Sequence, residues 1–286
     1  MGIRRDTPNI NSTRGVKPRA RAAATVGERT RRTLIEHIHP ILEYDRSRAS
    51  IIEPARVHRR IDIPEHCVPC FFRDVITQLV ADGARELTRG ASEAGEYAFY
   101  ELNYSGRRLA VFHPLVGAPI AVARVERAIA LGARKFVACG GAGALDGGLG
   151  VGHIVVPRSA VRDEGTSYHY LPASREVAPS PRALAAVKKT LRIHGHEFVI
   201  GKTWTTDAVY RETPAKIRRR RAEGCVTVEM EAAAFFAVAR FRRVEFAQIL
   251  YAADDVSGSD WDHRNWMRHQ ARERIFHLAA EACLRL

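Results

Sequence analysis

Apolar residues recur along the chain with two spacings, and the spacing predicts the type of each element. A spacing of three or four residues predicts helices over residues 71–80, from Pro119 to about Leu131, and over 182–194, 215–222 and 264–285. Short apolar runs predict buried strands in "RKFVACG", "HIVVP", "EFVIGKTW", "CVTVE" and "EFAQILYAADD". The apolar segment after "CVTVEME" predicts one more helix. Strands and helices therefore alternate through most of the chain.

Three segments depart from this alternation. "EYAFYELNYSGRRLAVFHP" predicts two strands joined at Ser105-Gly106, a dipeptide suited to a tight hairpin turn. Residues 29–45 carry apolar side chains at helical spacing, interrupted by Pro40, and "ASIIEPARV" predicts a short strand that runs into a loop. The chain is thus expected to contain an inserted hairpin and an N-terminal helix.

The order of elements predicts an α/β fold, a three-layer αβα sandwich with a mixed, mostly parallel central sheet. At 286 residues the chain is expected to form a single domain over 29–286, preceded by a basic, flexible tail over 1–28. In such folds, ligands bind at the carboxyl ends of strands. The segments to search therefore follow Ile52, Val137, Trp204 and Ala253 and surround Glu229.

Composition narrows the class of protein. The formal charge of +13 suggests a nucleic-acid partner, but no nucleic-acid-binding module accompanies it, so no specific nucleic acid is expected. No apolar run approaches the roughly 18 residues of a membrane helix, and the basic N-terminus lacks the apolar region of a secretory signal, although a transit peptide stays open. The odd count of five cysteines favours a reducing, cytoplasmic location, with Cys67 and Cys70 as buried thiols rather than metal ligands.

A glycine-rich segment follows the strand "RKFVACG". Gly141 and Gly143 resemble part of a dinucleotide fingerprint, but Asp146 occupies the third position, where that fingerprint needs glycine or alanine and then a helix. The segment is instead expected to be a backbone loop at a strand end, whose N–H groups either face an anion or only form a tight turn.

The acidic segment Glu229-Met230-Glu231 lies between a strand and an apolar helix. The two carboxylates would stabilise a helix N-terminus by about 0.3 to 1 kcal/mol. They could also accept hydrogen bonds from a vicinal diol while methionine packs on the apolar face of a sugar ring. A ribose would satisfy all three side chains.

Three motifs resemble the family-1 nucleoside phosphorylases, which include purine nucleoside and uridine phosphorylases and methylthioadenosine nucleosidases. "VEMEAAAFFAVA" resembles their ribose-binding signature, and "GARKFVACGGAGAL" followed by "VGHIVVP" is similar to their phosphate-side loop. "VRDEGTSYHYLP" resembles a segment of the uridine and archaeal members. The resemblance covers about residues 50–285 and implies the same three-layer fold, with no metal and no cofactor, and with inorganic phosphate as co-substrate.

The resemblance also implies roles for individual residues. Glu231 would bind the ribose 2′ and 3′ hydroxyls, with Met230 beneath the sugar and Glu229 beside it. Trp204 would stack on the base, and His169 is a weaker candidate for the same pocket.

Asp255 matches the aspartate that protonates the leaving base in purine-specific members, so it is both a catalytic and a base-binding candidate. It favours a purine, whereas "RDEGTSYHYLP" favours uridine.

The phosphate side departs from the family pattern. Gly140, Gly141 and Ala142 would hold phosphate, together with Arg56 in "IEPAR". However, Ala138 stands where phosphorylases carry an arginine, and Gly141 where a serine or threonine hydroxyl is common.

The expected activity is a pentosyltransferase of purine salvage, in which phosphate cleaves the N-glycosidic bond of a nucleoside to give free base and ribose 1-phosphate. The alternatives are a nucleosidase that activates water with Glu53, and a degenerate nucleoside-binding protein. Family sites are often shared between subunits, which implies a homo-oligomer, either a dimer, a trimer or a hexamer.

Overall fold

The computed structural model describes residues 33–265 and 269–286. The predicted tail over 1–28 and the first residues of the predicted domain lie outside this part. No helix among the described residues is both long and apolar enough to cross a membrane.

The strands are bounded as follows: β1 (Leu34–Ile35), β2 (Tyr44–Asp45), β3 (His66–Pro69), β4 (Arg85–Ser92), β5 (Gly95–Tyr104), β6 (Arg107–Phe112), β7 (Lys135–Ala144), β8 (Ile154–Asp163), β9 (Glu176–Val177), β10 (Phe198–Thr206), β11 (Cys225–Glu229) and β12 (Glu245–Asp255). The α-helices are α1 (Pro54–Val57), α2 (Arg73–Ala81), α3 (Ala118–Leu131), α4 (Pro181–Ile193), α5 (Pro214–Ala222), α6 (Ala232–Arg242) and α7 (His269–Leu284).

One large mixed sheet runs in the order β11-β10-β8-β12-β7-β3-β6-β5-β4. Strands β6, β3, β7 and β12 are parallel to one another, as are β8, β10 and β11. The sheet also curls, because Thr227 and Val228 of β11 pair antiparallel with Ala144 and Gly143 of β7. The end of β11 is thereby brought beside the end of β7.

Helices cover both faces of this sheet, which confirms the predicted three-layer αβα sandwich. Successive residues of β7 point to opposite faces, as the strand period requires. Val137 and Cys139 join the core beneath α2, α4 and α7, whereas Phe136 and Ala138 join the core beneath α3 and α6. The alanine- and phenylalanine-rich sequence of α6 is explained by this position, since the helix is buried along most of its length.

Most predicted elements are confirmed, including the hairpin at Ser105-Gly106, where both residues have positive φ, 50° and 78°. The five cysteines are free and buried, as expected.

The N-terminal segment differs from the prediction. In place of a helix, residues 33–45 form β1, a 3-10 turn at Pro40–Leu42 and β2, and their apolar side chains remain partly exposed. The predicted strand in "ASIIEP" is absent from this described segment, and α1 begins at Pro54. Strand β4 was not predicted because "RELTRGAS" is a polar edge strand without apolar alternation.

Candidate functional site

Glu229 is the last residue of β11, and its buried carboxyl group is saturated by the protein itself. One oxygen accepts hydrogen bonds from the Thr205 hydroxyl at 2.6 Å and the Thr203 hydroxyl at 3.4 Å. The other accepts from the backbone N–H groups of Glu231 at 2.7 Å and Ala232 at 2.6 Å. Burial raises the pKa of Glu229 to about 7, although these donors oppose the rise. Glu229 therefore anchors the start of α6 to β10.

Glu231 holds the N-cap position of α6, and its buried side chain reaches another element. Its Oε1 accepts a hydrogen bond from the backbone N–H of Gly117 at 2.5 Å. Gly117, with φ at 104°, precedes α3 and is in the left-handed region that favours glycine. Burial first, and then the nearby Glu229 charge, raise the pKa of Glu231 to about 8.

Asp207 is a third acidic side chain near this pair, whereas Glu212 is a further carboxyl group that lies near Asp254 instead. Asp207, just after β10, accepts a hydrogen bond from Gly165 N–H at 2.8 Å and adds to the rise in the pKa of Glu231. Burial and the charge of Asp254 raise the pKa of Glu212 to about 7. A carboxylate-rich environment of this kind stabilises positive charge that develops nearby.

Asp255, at the end of β12, is engaged in two contacts. Its Oδ2 is bonded to the Arg264 guanidinium, and its Oδ1 accepts a hydrogen bond from Ser257 N–H at 2.7 Å. The structure brings Asp255 to the paired ends of β7 and β12, where it lies opposite Ala144.

Trp204 lies in the core of the structure, a position that does not favour the predicted stacking of this residue on a base. Its side chain is 0% exposed in a core cluster with Leu145, Val161 and Val228. The indole Nε1 donates a hydrogen bond to Asp163 at 2.9 Å. The tryptophan faces inwards because its strand is covered by helix α5.

His169 ends the 3-10 turn Thr166–His169 and is exposed. It lines a cavity of about 1470 Å³, together with Gly165, Asp207 and Pro119. Asp207 adds to the rise in the pKa of Glu231, and Pro119 follows by two residues Gly117, whose N–H donates to Glu231. The cavity therefore opens beside the Glu229 and Glu231 pair. The structure thus connects His169 with the pair, although the two carboxyl groups do not line the cavity.

Glu53 and Arg56 are separated from that pair. Glu53 Oε1 bonds Arg242 Nη1 at 2.8 Å, at the last turn of α6, and the same guanidinium bonds Glu126 at 2.8 Å. Glu231 lies at the opposite end of that helix, roughly 16 Å away at about 1.5 Å per residue. Ile52 and Pro54, on either side of Glu53, line the same cavity as His169 and Asp207. The roles of Glu53 as a base and of Arg56 as a phosphate ligand stay predictions.

Gly140, Gly141 and Ala142 do not form the predicted anion-facing loop. All three lie inside β7 and pair with Leu250, Tyr251 and Ala252 of β12. Glycine at 140 is explained by packing, because a Cβ there would come within 3.1 Å of the Phe71 ring.

Several residues of the site were not singled out in the sequence. Thr205 and Asp207 follow Trp204 in "TWTTDA". Ligand contacts are predicted after Trp204 because ligands bind at strand ends, but the aromatic residue itself was the predicted ligand. Gly117 lies in "VGAP", where a glycine before proline at a helix start is a recognisable signal.

Comparisons with known proteins agree with this architecture. A family model described as the Phosphorylase superfamily matches residues 70–285. A guanosine phosphorylase from Halorubrum lacusprofundi is 31% identical over 145 residues, which are 51% of this chain and 60% of that protein. A uridine phosphorylase from Thermococcus kodakarensis is 29% identical over 115 residues, 40% of this chain and 42% of that protein. The chain therefore matches about half of the length of each of these relatives.

The crystal structure of a uridine phosphorylase from Vibrio fischeri ES114 superposes with a TM-score of 0.66 at 21% identity, covering 79% of this chain and 94% of that one. This likeness shows the fold. Because the family model covers most of the chain, the protein belongs to the phosphorylase superfamily.

Proposed function

We propose that the protein is a nucleoside phosphorylase, which uses phosphate to cleave the N-glycosidic bond of a ribonucleoside into free base and ribose 1-phosphate. The observation that carries this proposal is the buried Glu231 carboxyl group, held by Gly117 N–H at the head of α6 in a member of the phosphorylase superfamily. No cofactor is required for this reaction, and phosphate is the second substrate.

In this proposal Glu231 is the ribose ligand. A carboxyl group can accept about four hydrogen bonds, and the Gly117 N–H occupies one position, so capacity remains for the 2′ and 3′ hydroxyls. Met230 is half-buried between the two glutamates and offers its thioether to the sugar face. Glu229 acts as a positioning residue, because its oxygens already accept bonds from Thr205 and the start of α6.

The chemical step follows from the charge around the pair. Cleavage of the C1′–N bond develops positive charge on the ribose ring, and the neighbouring Glu229, Glu231 and Asp207 carboxyl groups stabilise it. The electron pair of the bond leaves with the base, and a phosphate oxygen forms the new bond to C1′.

A proton delivered to the leaving base lowers the barrier further, and Asp255 is the proposed donor. Its bond to Arg264 must open for the carboxyl group to take up that proton.

The base is expected to lie towards the mouth of the site. With Trp204 in the core, we assign the stacking role to Tyr210, which is 96% exposed and follows Asp207 by three residues. The named relatives act on guanosine and on uridine, and Asp255 favours a purine. A homo-oligomeric, cytoplasmic enzyme of purine salvage stays the prediction made from the sequence.

The test is a substrate panel. The purified protein is incubated with guanosine, inosine, adenosine, uridine and methylthioadenosine, each with and without phosphate, and base release is followed by chromatography. The proposal expects base release that depends on phosphate, fastest with a purine ribonucleoside. Release that is independent of phosphate would identify a nucleosidase, and nucleoside binding without any release would identify a degenerate binding protein.

A further inference from the structure

Three cationic or titratable side chains meet near the carboxyl ends of β3 and β6. Arg73 is the first residue of α2 and is exposed, and His113 follows β6 directly. Arg124 projects from α3. Burial first, and then the charges of Arg73 and Arg124, lower the pKa of His113 to about 4. The ring of Phe71, two residues before Arg73, lies 6.3 Å from the His113 ring, which places the start of α2 beside His113.

Arg124 is an unusual residue because its guanidinium is buried without a hydrogen-bond acceptor. The residue is 2% exposed, and within the described part of the chain its Nε, Nη1 and Nη2 atoms all lack a hydrogen-bond partner. The guanidinium stacks on the ring of Tyr97, 3.5 Å from its centroid. Stacking on a ring leaves the five N–H donors in the guanidinium plane unsatisfied.

No carboxylate of the described residues neutralises this cluster. Neither Arg73 nor Arg124 forms a salt bridge there, and the further cation near Arg124 is Arg127. An uncompensated buried charge is costly, and a bound anion would remove that cost. The cluster therefore has the charge and the donors of an anion site.

The cluster lies next to the proposed ribose ligand. His113 accepts a hydrogen bond from Leu115 N–H at 3.0 Å, within the same short segment whose Gly117 N–H donates to Glu231 at 2.5 Å. An anion held at the start of this segment would face the sugar held at its end. In addition, Ala138 of β7 packs on the same side of the sheet as the buried apolar residues of α3, the helix that carries Arg124.

We infer that Arg124, with Arg73 at the mouth, binds the phosphate co-substrate, so that a helix-borne guanidinium replaces the arginine missing at position 138. The inference rests on the proposed function for the identity of the anion as co-substrate. The ligand class is a tetrahedral oxyanion, because the guanidinium fork forms paired hydrogen bonds with two oxygens of such a group.

Direct binding tests the site without requiring turnover. Inorganic phosphate, and sulfate as a second oxyanion, are titrated into the full chain by calorimetry, with thermal unfolding as a check. Arg124→Met keeps the side-chain volume and removes the charge. Losing these charge-assisted hydrogen bonds is expected to weaken phosphate binding roughly 10- to 100-fold.

Arg127→Met is the matched control. Arg127 lies on the same helix, is also buried and lies over Tyr97, but its Nη2 donates to Thr88 Oγ1 at 3.3 Å and to the Arg89 carbonyl at 3.0 Å. Its loss should leave phosphate affinity unchanged. Equal affinity in wild type and a folded Arg124→Met variant would overturn the inference.

Kinetics separate this inference from the proposed function. Arg124→Met should raise the KM for phosphate at least tenfold with little change in the KM for nucleoside, and Arg124→Lys should recover part of the loss. A protein that binds phosphate through Arg124 but cleaves no nucleoside would contradict the proposed function alone. Sedimentation tests whether Arg124 instead contacts a second copy of the chain. If Arg124→Met dissociated an oligomer without changing the phosphate affinity, the inference would also be overturned.

Discussion

Replacing Glu231 with glutamine changes the charge of the proposed ribose ligand while preserving its shape. The side-chain oxygen of glutamine can still accept the Gly117 N–H bond, which measures 2.5 Å in the native protein, so the loop before α3 should keep its position. What is lost is a charge-assisted acceptor for the ribose hydroxyls. Hydrogen bonds to charged groups contribute about 1.5 to 3 kcal/mol, against about 0.5 to 1.5 for neutral pairs. Each tenfold change corresponds to about 1.4 kcal/mol, so weakening the bond to one or to both ribose hydroxyls predicts a 10- to 100-fold fall in kcat/KM.

The assay compares kcat/KM for a ribonucleoside and its 2′-deoxy analogue in wild type and Glu231→Gln. Because the deoxy substrate lacks one of the hydroxyls, the variant should lose less activity on it, and the difference isolates the contact. Glu212→Gln is the control, since Glu212 is a half-buried carboxyl group whose pKa is also raised but which lies near Asp254 rather than at the head of α6. Equal losses on both substrates, or no loss with a folded variant, would refute the assignment of Glu231 to the ribose.

Three further predictions follow from the same structure. Burial raises the pKa of Glu231 from 4.5 to about 8, so between these values the folded protein binds more protons than the unfolded chain. The free energy of unfolding should therefore decrease as pH rises through this window. Urea unfolding at pH 5 and pH 8 measures this decrease, and Glu231→Gln should flatten it. Trp204→Phe should destabilise the fold by about 1 to 3 kcal/mol through the lost bond to Asp163, with kcat/KM within about twofold of wild type, and a large rise in nucleoside KM would contradict the core assignment. Glu53→Gln should leave phosphate-dependent turnover within about twofold, because Glu53 contacts the far end of α6; loss of turnover would restore its candidacy as a base.

The fold could be predicted from the sequence where apolar periodicity is strong. The strands around "RKFVACG" and "EFAQILYAADD" and helix α6 carry long buried runs, and each was found at the expected place. The prediction failed where packing decides the structure. Leu34 and Ile35 have helical spacing with later residues, but they stay exposed in a short strand, and β4 is an edge strand that a polar sequence can form because only one neighbour pairs with it.

The candidate site was predicted in part for a related reason. Glu229 and Glu231 are two residues apart in sequence, so one local motif contains both. The inferred phosphate site combines residues from three elements that the sheet brings together. The strand "HCVP" before Arg73 was not predicted as a strand. The predicted phosphate ligand was therefore Arg56 in "IEPAR", 17 residues before Arg73. Likewise, nothing in the sequence shows that Trp204 faces inwards rather than towards the cavity, since polar residues lie on both sides of its strand, in the sequence FVIGKTWTT.

The central claim is that this protein transfers ribose to phosphate. Phosphorus NMR, run in parallel with chromatography of the released base, measures the product directly. The account predicts one ribose 1-phosphate for each base released by wild type, and a strongly reduced rate of both in Glu231→Gln. Base release with free ribose as the product, or no base release from any nucleoside of the panel, would contradict it.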